Sequence, residues 1–290
     1  MYWEDQPGRK CPGYLDLCLE TIRRHVGPHM ELHVLDQDSI FDWIPDLDPA
    51  IWRRLPLPAK RSDYARTRLT YLHGGLWFDA DTIAIAPLEP LTAYVDDHDL
   101  ACWGRDVEGR FFSSLIVARA GAPLIENWIE AQDRALAESD DWGQLSWSAL
   151  VADAFGPFMG DERYGNVPSS KVAPVLWNDW MRFFSPFQSP APVLADDPIL
   201  ITLYNKGMGP ILEDRSAAEL RGAKTLLSRL FRIALGESTL DDELDLATRF
   251  SKISDLRYSL NGRRIERRVR RLLFGKPPPS LYQASTRIDG

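Results

Sequence analysis

The run Gly74-Gly75-Leu76-Trp77-Phe78-Asp79-Ala80-Asp81-Thr82-Ile83-Ala84-Ile85 constrains this chain more than any other stretch. A diglycine opens it, and two apolar, strand-like segments flank a pair of carboxylates one residue apart. On a regular strand, residues i and i+2 point to the same side. Asp79 and Asp81 therefore converge on one point if the chain stays extended, or if a tight turn folds them together. Carboxylates held that close repel, and both stay ionised in apolar surroundings only when a positive charge joins them. Hard divalent cations such as Mn²⁺ or Mg²⁺ take oxygen ligands and are often held by one or two carboxylates plus substrate phosphates. The pattern predicts a diphosphate–metal site. Two other readings stay open. Turns are rich in Asp for their own hydrogen-bonding reasons, and a phosphatase-type aspartate motif also follows an apolar strand. That motif usually has Gly before the Thr and lies near the start of a domain, whereas here Thr82 follows Asp81 directly, behind a long patterned segment.

The preceding residues sharpen the reading. The spacing predicts a helix over 58–73, with Pro58 at its start, Ala65, Leu69 and Leu72 on an apolar face, and Gly74-Gly75 as its stop. Asp63 and Arg66, three apart, share one face of that helix. A pair of this kind is commonly a surface ion pair worth well under about 1 kcal/mol. Helix, diglycine, strand and D-x-D in immediate succession are harder to obtain by accident.

Taken together, Ser62-Asp63-Tyr64-Ala65-Arg66, the run Tyr71-Leu72-His73-Gly74-Gly75-Leu76-Trp77-Phe78-Asp79-Ala80-Asp81, and Pro87-Leu88 resemble the signature of DXD-motif glycosyltransferases. The likeness is to bacterial capsular-polysaccharide and lipopolysaccharide sugar transferases and yeast-type mannosyltransferases, and distantly to glucosylating clostridial toxins. The opening is similar too, in Tyr2-Trp3-Glu4, in Cys18-Leu19-Glu20-Thr21-Ile22-Arg23-Arg24-His25, and in Leu32-His33-Val34-Leu35-Asp36. The resemblance covers about the first 120 residues and weakens afterwards.

It implies an α/β fold of the GT-A type that binds a nucleotide-sugar donor, with a mainly parallel mixed sheet flanked by helices. It also implies transfer to a glycan or lipid-linked acceptor, with retention at the anomeric carbon. The motif aspartates, Asp79 and Asp81, would hold Mn²⁺ or Mg²⁺ against the donor diphosphate. Asp63 and Arg66 would grip the donor sugar, ribose or phosphate, with Arg66 neutralising the departing nucleoside diphosphate. Trp3 would stack on the nucleobase, and Trp77 stands where relatives carry Tyr or Trp beside the donor. Relatives often add a late His-Leu-Trp-Asn motif. Thr202-Leu203-Tyr204-Asn205 is the nearest match here, with Thr202 in place of the His and Asn205 as a candidate metal oxygen ligand. A binder that kept this fold without turnover is the non-enzymatic alternative. Trp3 and Trp77 also have packing explanations, at a strand end and in the sheet core respectively.

Alternating helices and strands support the α/β class. Pro12 opens a helix carrying Leu15, Cys18, Leu19 and Ile22 on one face, closed by Gly27. Strands are predicted over 31–35, 100–103 and 112–117, a short helical piece over 40–44, and a helix from Pro123. The aromatic-rich 156–198 segment gives no clear elements and reads as packed loop, with lining of an acceptor site as the alternative. Five histidines show no metal-ligand spacing. Three cysteines cannot all pair and fit no zinc or redox pattern, which suggests a reducing, cytoplasmic setting. No basic-then-apolar leader follows Met1, and no run reaches 18 consecutive apolar residues.

The expected division is a catalytic domain over 1–235 and a helical basic extension over 236–290. From 251 to 290 there are ten basic residues against three acidic, in a chain whose net charge is −8. Ile265, Val269, Leu272 and Leu273 form an apolar stripe among six arginines. The 263–274 segment is therefore expected either to contact an anionic membrane surface or to cap the acidic domain. Nucleic acid is not expected, because the remaining surface is acidic.

Overall fold

The structure is a computed structural model that describes residues 1–4 and 11–244. The basic 263–274 segment, and most of the proposed extension, lie outside the described residues. Among the helices of the described residues, those that build the site and the cores beside it are α1 (Gly13–His25), α2 (Pro58–His73), α3 (Pro123–Ala137), α4 (Asn205–Leu212), α5 (Ala217–Gly222) and α6 (Leu226–Ala234). The strands are β1 (Gly75–Phe78), β2 (Thr82–Ala84), β3 (Leu100–Trp103), β4 (Phe112–Ala118), β5 (Tyr164–Val167) and β6 (Leu200–Thr202). Short helical turns fill much of the remainder.

The fold is α/β with a mixed sheet, but its strands are not mainly parallel as expected. The larger sheet runs β1-β4-β3-β5, and β4 is antiparallel to both its neighbours. Among the described strands only β3 and β5 pair in parallel. A separate ribbon pairs β2 with β6 antiparallel. The expectation rested on alternating helices and strands, but β3 and β4 follow each other with no helix between them, and a short connection pairs neighbours antiparallel. The antiparallel strands are covered on both faces. Trp77, Leu100, Cys102 and Ile116 enter one core with Ala65, Leu69, Leu124 and Trp128. Their strand neighbours Phe78, Ala101, Trp103, Leu115 and Val117 enter another with Ile22 and Val167. That is the period-2 alternation of a strand with two buried sides.

A third core lies under the β2–β6 ribbon. It gathers Tyr14, Leu17 and Cys18 of α1, Ile83, Ile201, Met208 of α4, and Leu226, Leu230 and Phe231 of α6. Phe183 and Phe184 from the aromatic-rich segment are buried here, and Trp180 meets Phe184 edge-on at 5.8 Å. The 156–198 segment is not all loop, since it carries β5 and short helical pieces, and Phe183 and Phe184 pack into the core.

Helix α2 matches its sequence prediction at both ends. Pro58 occupies the first turn, where no amide partner is needed. Gly74 ends it at φ +65, with its N–H donating to the Thr70 carbonyl at 2.9 Å. A Cβ at Gly74 would stand 2.7 Å from the Ala120 amide nitrogen, so glycine is required there. The buried face differs from expectation. Leu72 is 43% exposed, whereas Lys60, Asp63, Arg66, Thr67, Arg68 and Thr70 are buried. The helix is enclosed on its polar side by α3 and β4, and that side builds the site. The 31–35 segment forms only an isolated parallel bridge, Tyr2 to Leu35, because the described N-terminal segment offers it a single partner position.

Candidate active site

Asp79 and Asp81 do not lie on a regular strand. β1 ends at Phe78 and β2 begins at Thr82, so residues 79–81 form a tight turn between the two sheets. Backbone bonds hold both ends of it. The Asp79 N–H donates to the Ser114 carbonyl at 2.9 Å, and the Asp81 carbonyl accepts from the Leu203 N–H at 2.9 Å. One carboxylate is thus anchored to β4 of the large sheet, the other to the segment leaving β6.

Arg66 is the centre of the arrangement. Its Nη2 lies 3.0 Å from Asp63 Oδ1 and 3.1 Å from Asp79 Oδ1. Nη1 donates to the Ser113 carbonyl at 2.8 Å and to Ser113 Oγ at 2.7 Å. Nε and Nη2 also reach the Ser62 carbonyl and hydroxyl, at 3.3 and 3.2 Å. Every guanidinium nitrogen therefore has an acceptor. The pair is buried and joined to the motif rather than lying on the surface as a helix pair alone suggests. Removing one partner of a buried pair leaves the other charged and desolvated, a cost of about 3–5 kcal/mol.

Trp77 is buried in the first core, 2% exposed, and so cannot flank a donor directly. Alternation does put its indole on the side of Asp79. Nε1–H donates to Asp79 Oδ1 at 3.2 Å, and the Arg66 guanidinium stands 5.4 Å from the ring centre. Its place is to orient the carboxylate. Asp63, also buried, holds Arg66 from the other side.

Asn205, at the start of α4, comes to the motif across 124 residues. Its N–H donates to Asp81 Oδ2 at 3.1 Å. Its Oδ1 accepts from the Tyr14 hydroxyl at 2.5 Å, and an amide oxygen has a second lone pair free for another partner. Thr202 is buried, with its hydroxyl donating to the Val172 carbonyl at 3.2 Å. Among the described residues no cluster of three or more His, Cys, Asp or Glu side chains stands ready for a metal.

Trp3 is half-buried against the third core. Its N–H donates to the Leu35 carbonyl at 2.8 Å. On either side of it, the Tyr2 hydroxyl donates to Glu4 Oε2 at 2.6 Å, and Glu4 takes a two-point grip from Arg61 of α2, at 2.5 and 2.8 Å. Neighbours i and i+2 share a side, so the Trp3 ring points the other way. Sequence reading missed this tie between the opening segment and the site helix, and it missed Ser113, Tyr14 and Lys60. None has a local motif, since their partners lie 47 to 191 residues away.

The electrostatics bear on the cation. Burial, then the charge of Asp79, pushes the Asp81 carboxyl up to about 7. Burial also pushes Asp63 up to about 6, against the pull of Arg66. Three carboxylates face Arg66, with Lys60 acting on Asp63 from further off, so ionising all three leaves the cluster net negative. A bound cation would offset that excess. Two carboxylates and one amide oxygen suit a hard ion that keeps sites for phosphate and water. The donor set fits Mn²⁺ or Mg²⁺.

Residues 1–127 match the sequence family described as capsular polysaccharide synthesis protein. The resemblance read from the motif falls on that same segment, which holds Trp3, Asp63, Arg66, Trp77, Asp79 and Asp81. No curated protein sequence matches the chain significantly. Among solved structures, the chain is similar to one described as PaToxG glycosyltransferase, at 14% identity and a TM-score of 0.40. That likeness covers 82% of this chain and 85% of that one. It is also similar to the glycosyltransferase GlyE of Streptococcus pneumoniae TIGR4, at 12% identity and a TM-score of 0.44. There the match covers 86% of this chain and spans 63% of the length of the other. Among the described residues no helix is long and apolar enough to cross a membrane.

Proposed function

We propose that the protein is a metal-dependent glycosyltransferase that moves a sugar from a nucleotide-sugar donor to a glycan or lipid-linked acceptor in polysaccharide synthesis, with retention at the anomeric carbon. One observation carries the reading: Asp63, Arg66, Asp79 and Asp81 form a single charge cluster whose excess of carboxylate calls for a divalent cation. The family match over the segment holding these residues supports it.

Asp79 and Asp81 would hold Mn²⁺ or Mg²⁺, with the Asn205 oxygen as third protein ligand. When bound, such an ion supplies charge stabilisation to a departing diphosphate. The chain's own residues supply order. Arg66 fixes Asp79 by an ion pair, and Trp77 fixes the same oxygen by its N–H, so that carboxylate needs no reorganisation when charge develops nearby. Asp63 and Ser113 hold Arg66. Because its nitrogens are engaged, Arg66 acts through Asp79 as a positioning residue rather than by direct contact with the leaving group. Trp3 stacks on the nucleobase. No side chain is nominated as a nucleophile.

A panel of nucleotide sugars, screened for Mn²⁺-dependent thermal stabilisation and slow donor hydrolysis, tests this directly, since a ligand that binds the folded state raises its stability. Stabilisation with hydrolysis, both abolished by EDTA and by Asp81→Asn, is the expected result. Stabilisation without hydrolysis or transfer would identify a nucleotide-sugar-binding protein. Release of inorganic phosphate from a phosphomonoester would identify a phosphatase.

A further inference from the structure

Trp147 is the one aromatic among the large apolar side chains left exposed in the described residues, at 63%. Single exposed apolar side chains are ordinary on protein surfaces; Trp147 differs in how it is held. It is not on a loose surface. Lys60, buried one turn before Asp63 on α2, donates through Nζ to the Trp147 carbonyl at 2.8 Å and to the Ser146 carbonyl at 2.6 Å. The Lys206 ammonium stands 5.9 Å from the centre of the Trp147 ring. Lys206 follows Asn205, whose N–H is bonded to Asp81. Trp147 therefore spans the rim of the site, its backbone tied to the Asp63–Arg66 helix and its ring tied to the helix beside Asp81.

We propose that Trp147 is a platform for a pyranose ring of the acceptor glycan. The assignment to the acceptor, rather than to sugar in general, rests on the glycosyltransferase reading above. Depth separates Trp147 from the charge cluster. Asp63, Arg66 and Trp77 are buried, and Asp79 is largely covered. A ring at the solvent edge meets the substrate that arrives from outside. A pyranose has one face of C–H groups that packs on an indole while its hydroxyls stay hydrated, so an exposed Trp suits it better than a buried one. Lys60 fixes the backbone and Lys206 steadies the ring, so little freedom is lost when the sugar docks.

The test uses the full chain and the variants Trp147→Ala and Trp147→Phe, with Leu72→Ala as an exposed control. Saturation-transfer NMR against a panel of methyl hexopyranosides and their tetrasaccharides reads contact directly. The parent should give signals on the C–H face of at least one sugar. Trp147→Phe should keep them, and Trp147→Ala should lose them. In transfer assays Trp147→Ala should raise the acceptor KM by roughly tenfold, which corresponds to about 1.4 kcal/mol, while the donor KM moves by less than about twofold. Unchanged signals and acceptor KM in Trp147→Ala, equal rises in both KM values, or no signal from any pyranose in the parent would each overturn the proposal. A parent that contacts pyranoses through Trp147 but neither hydrolyses nor transfers from any nucleotide sugar would sink the transferase reading alone.

Discussion

Replacing Asp81 by Asn should stabilise the metal-free protein at alkaline pH, although it removes a candidate metal ligand. Asp81 is half-buried and stands next to the Asp79 charge, and its carboxyl is pushed from an ordinary 3.8 up to about 7. A carboxyl whose pKa is raised by folding binds more protons in the folded state than in the unfolded one. Its contribution to stability is therefore full below the unfolded value and lost as pH rises through the folded one. Each pKa unit corresponds to about 1.36 kcal/mol, so holding Asp81 ionised above pH 7 costs at most about 4 kcal/mol. Between pH 5 and pH 8 only about two of those units are crossed, at most about 3 kcal/mol, and solvent on the open side of Asp81 reduces the expected reading to about 2 kcal/mol. Urea denaturation in EDTA at pH 5 and pH 8 measures it. The parent should lose stability between the two values, and Asp81→Asn should lose roughly 2 kcal/mol less. Adding Mn²⁺ at pH 8 should restore the parent and do little for the variant. Identical pH dependence in both proteins would refute the charge-excess account of this site.

Three further outcomes follow from the same geometry. Arg66→Leu should lower stability by about 3–5 kcal/mol in urea at pH 7.5, because it strands Asp63 and Asp79 together; a loss below about 1 kcal/mol would show the pair to be solvated. Trp3→Ala should weaken nucleoside diphosphate binding by roughly 1–3 kcal/mol in a calorimetric titration, whereas an unchanged dissociation constant would return Trp3 to packing. Gly74→Ala should cost more than about 1 kcal/mol, since a methyl at φ +65 would also crowd the Ala120 amide, and wild-type thermal stability in that variant would contradict the close approach.

The sequence showed helix α2 from end to end because both of its boundaries are chemical: proline can begin a helix there, and only glycine can leave it at φ +65. The β3 boundaries and the Pro123 start of α3 were equally legible, from apolar runs and a second proline. What periodicity could not show was the buried polar side of α2. The reason Arg66 is enclosed is Ser113, which arrives on β4 through sheet pairing and leaves no mark near residue 66. Trp77 illustrates the same limit. Its place beside Asp79 followed from alternation, but only the covering helices decide that its ring is interior. Whether Asp79 and Asp81 meet on a strand or on a turn was likewise undecidable locally, since that depends on β1 and β2 joining different sheets.

That division of the motif between two sheets makes the carboxylate pair a joint with two owners. Asp79 takes its position from β4, through the Ser114 carbonyl, and Asp81 takes its position from the strand end after β6, through the Leu203 amide. The two supports belong to different cores, one around Leu115 and Val117 and the other around Ile201 and Leu203. An error in the packing of either core therefore reaches the separation of the two oxygens without passing through any residue of the site. If the pair holds a cation as proposed, cation affinity becomes a gauge of how well the two halves are assembled, and a cavity made beneath Ile201 should be read as a loss of metal binding well before it is read as a loss of fold.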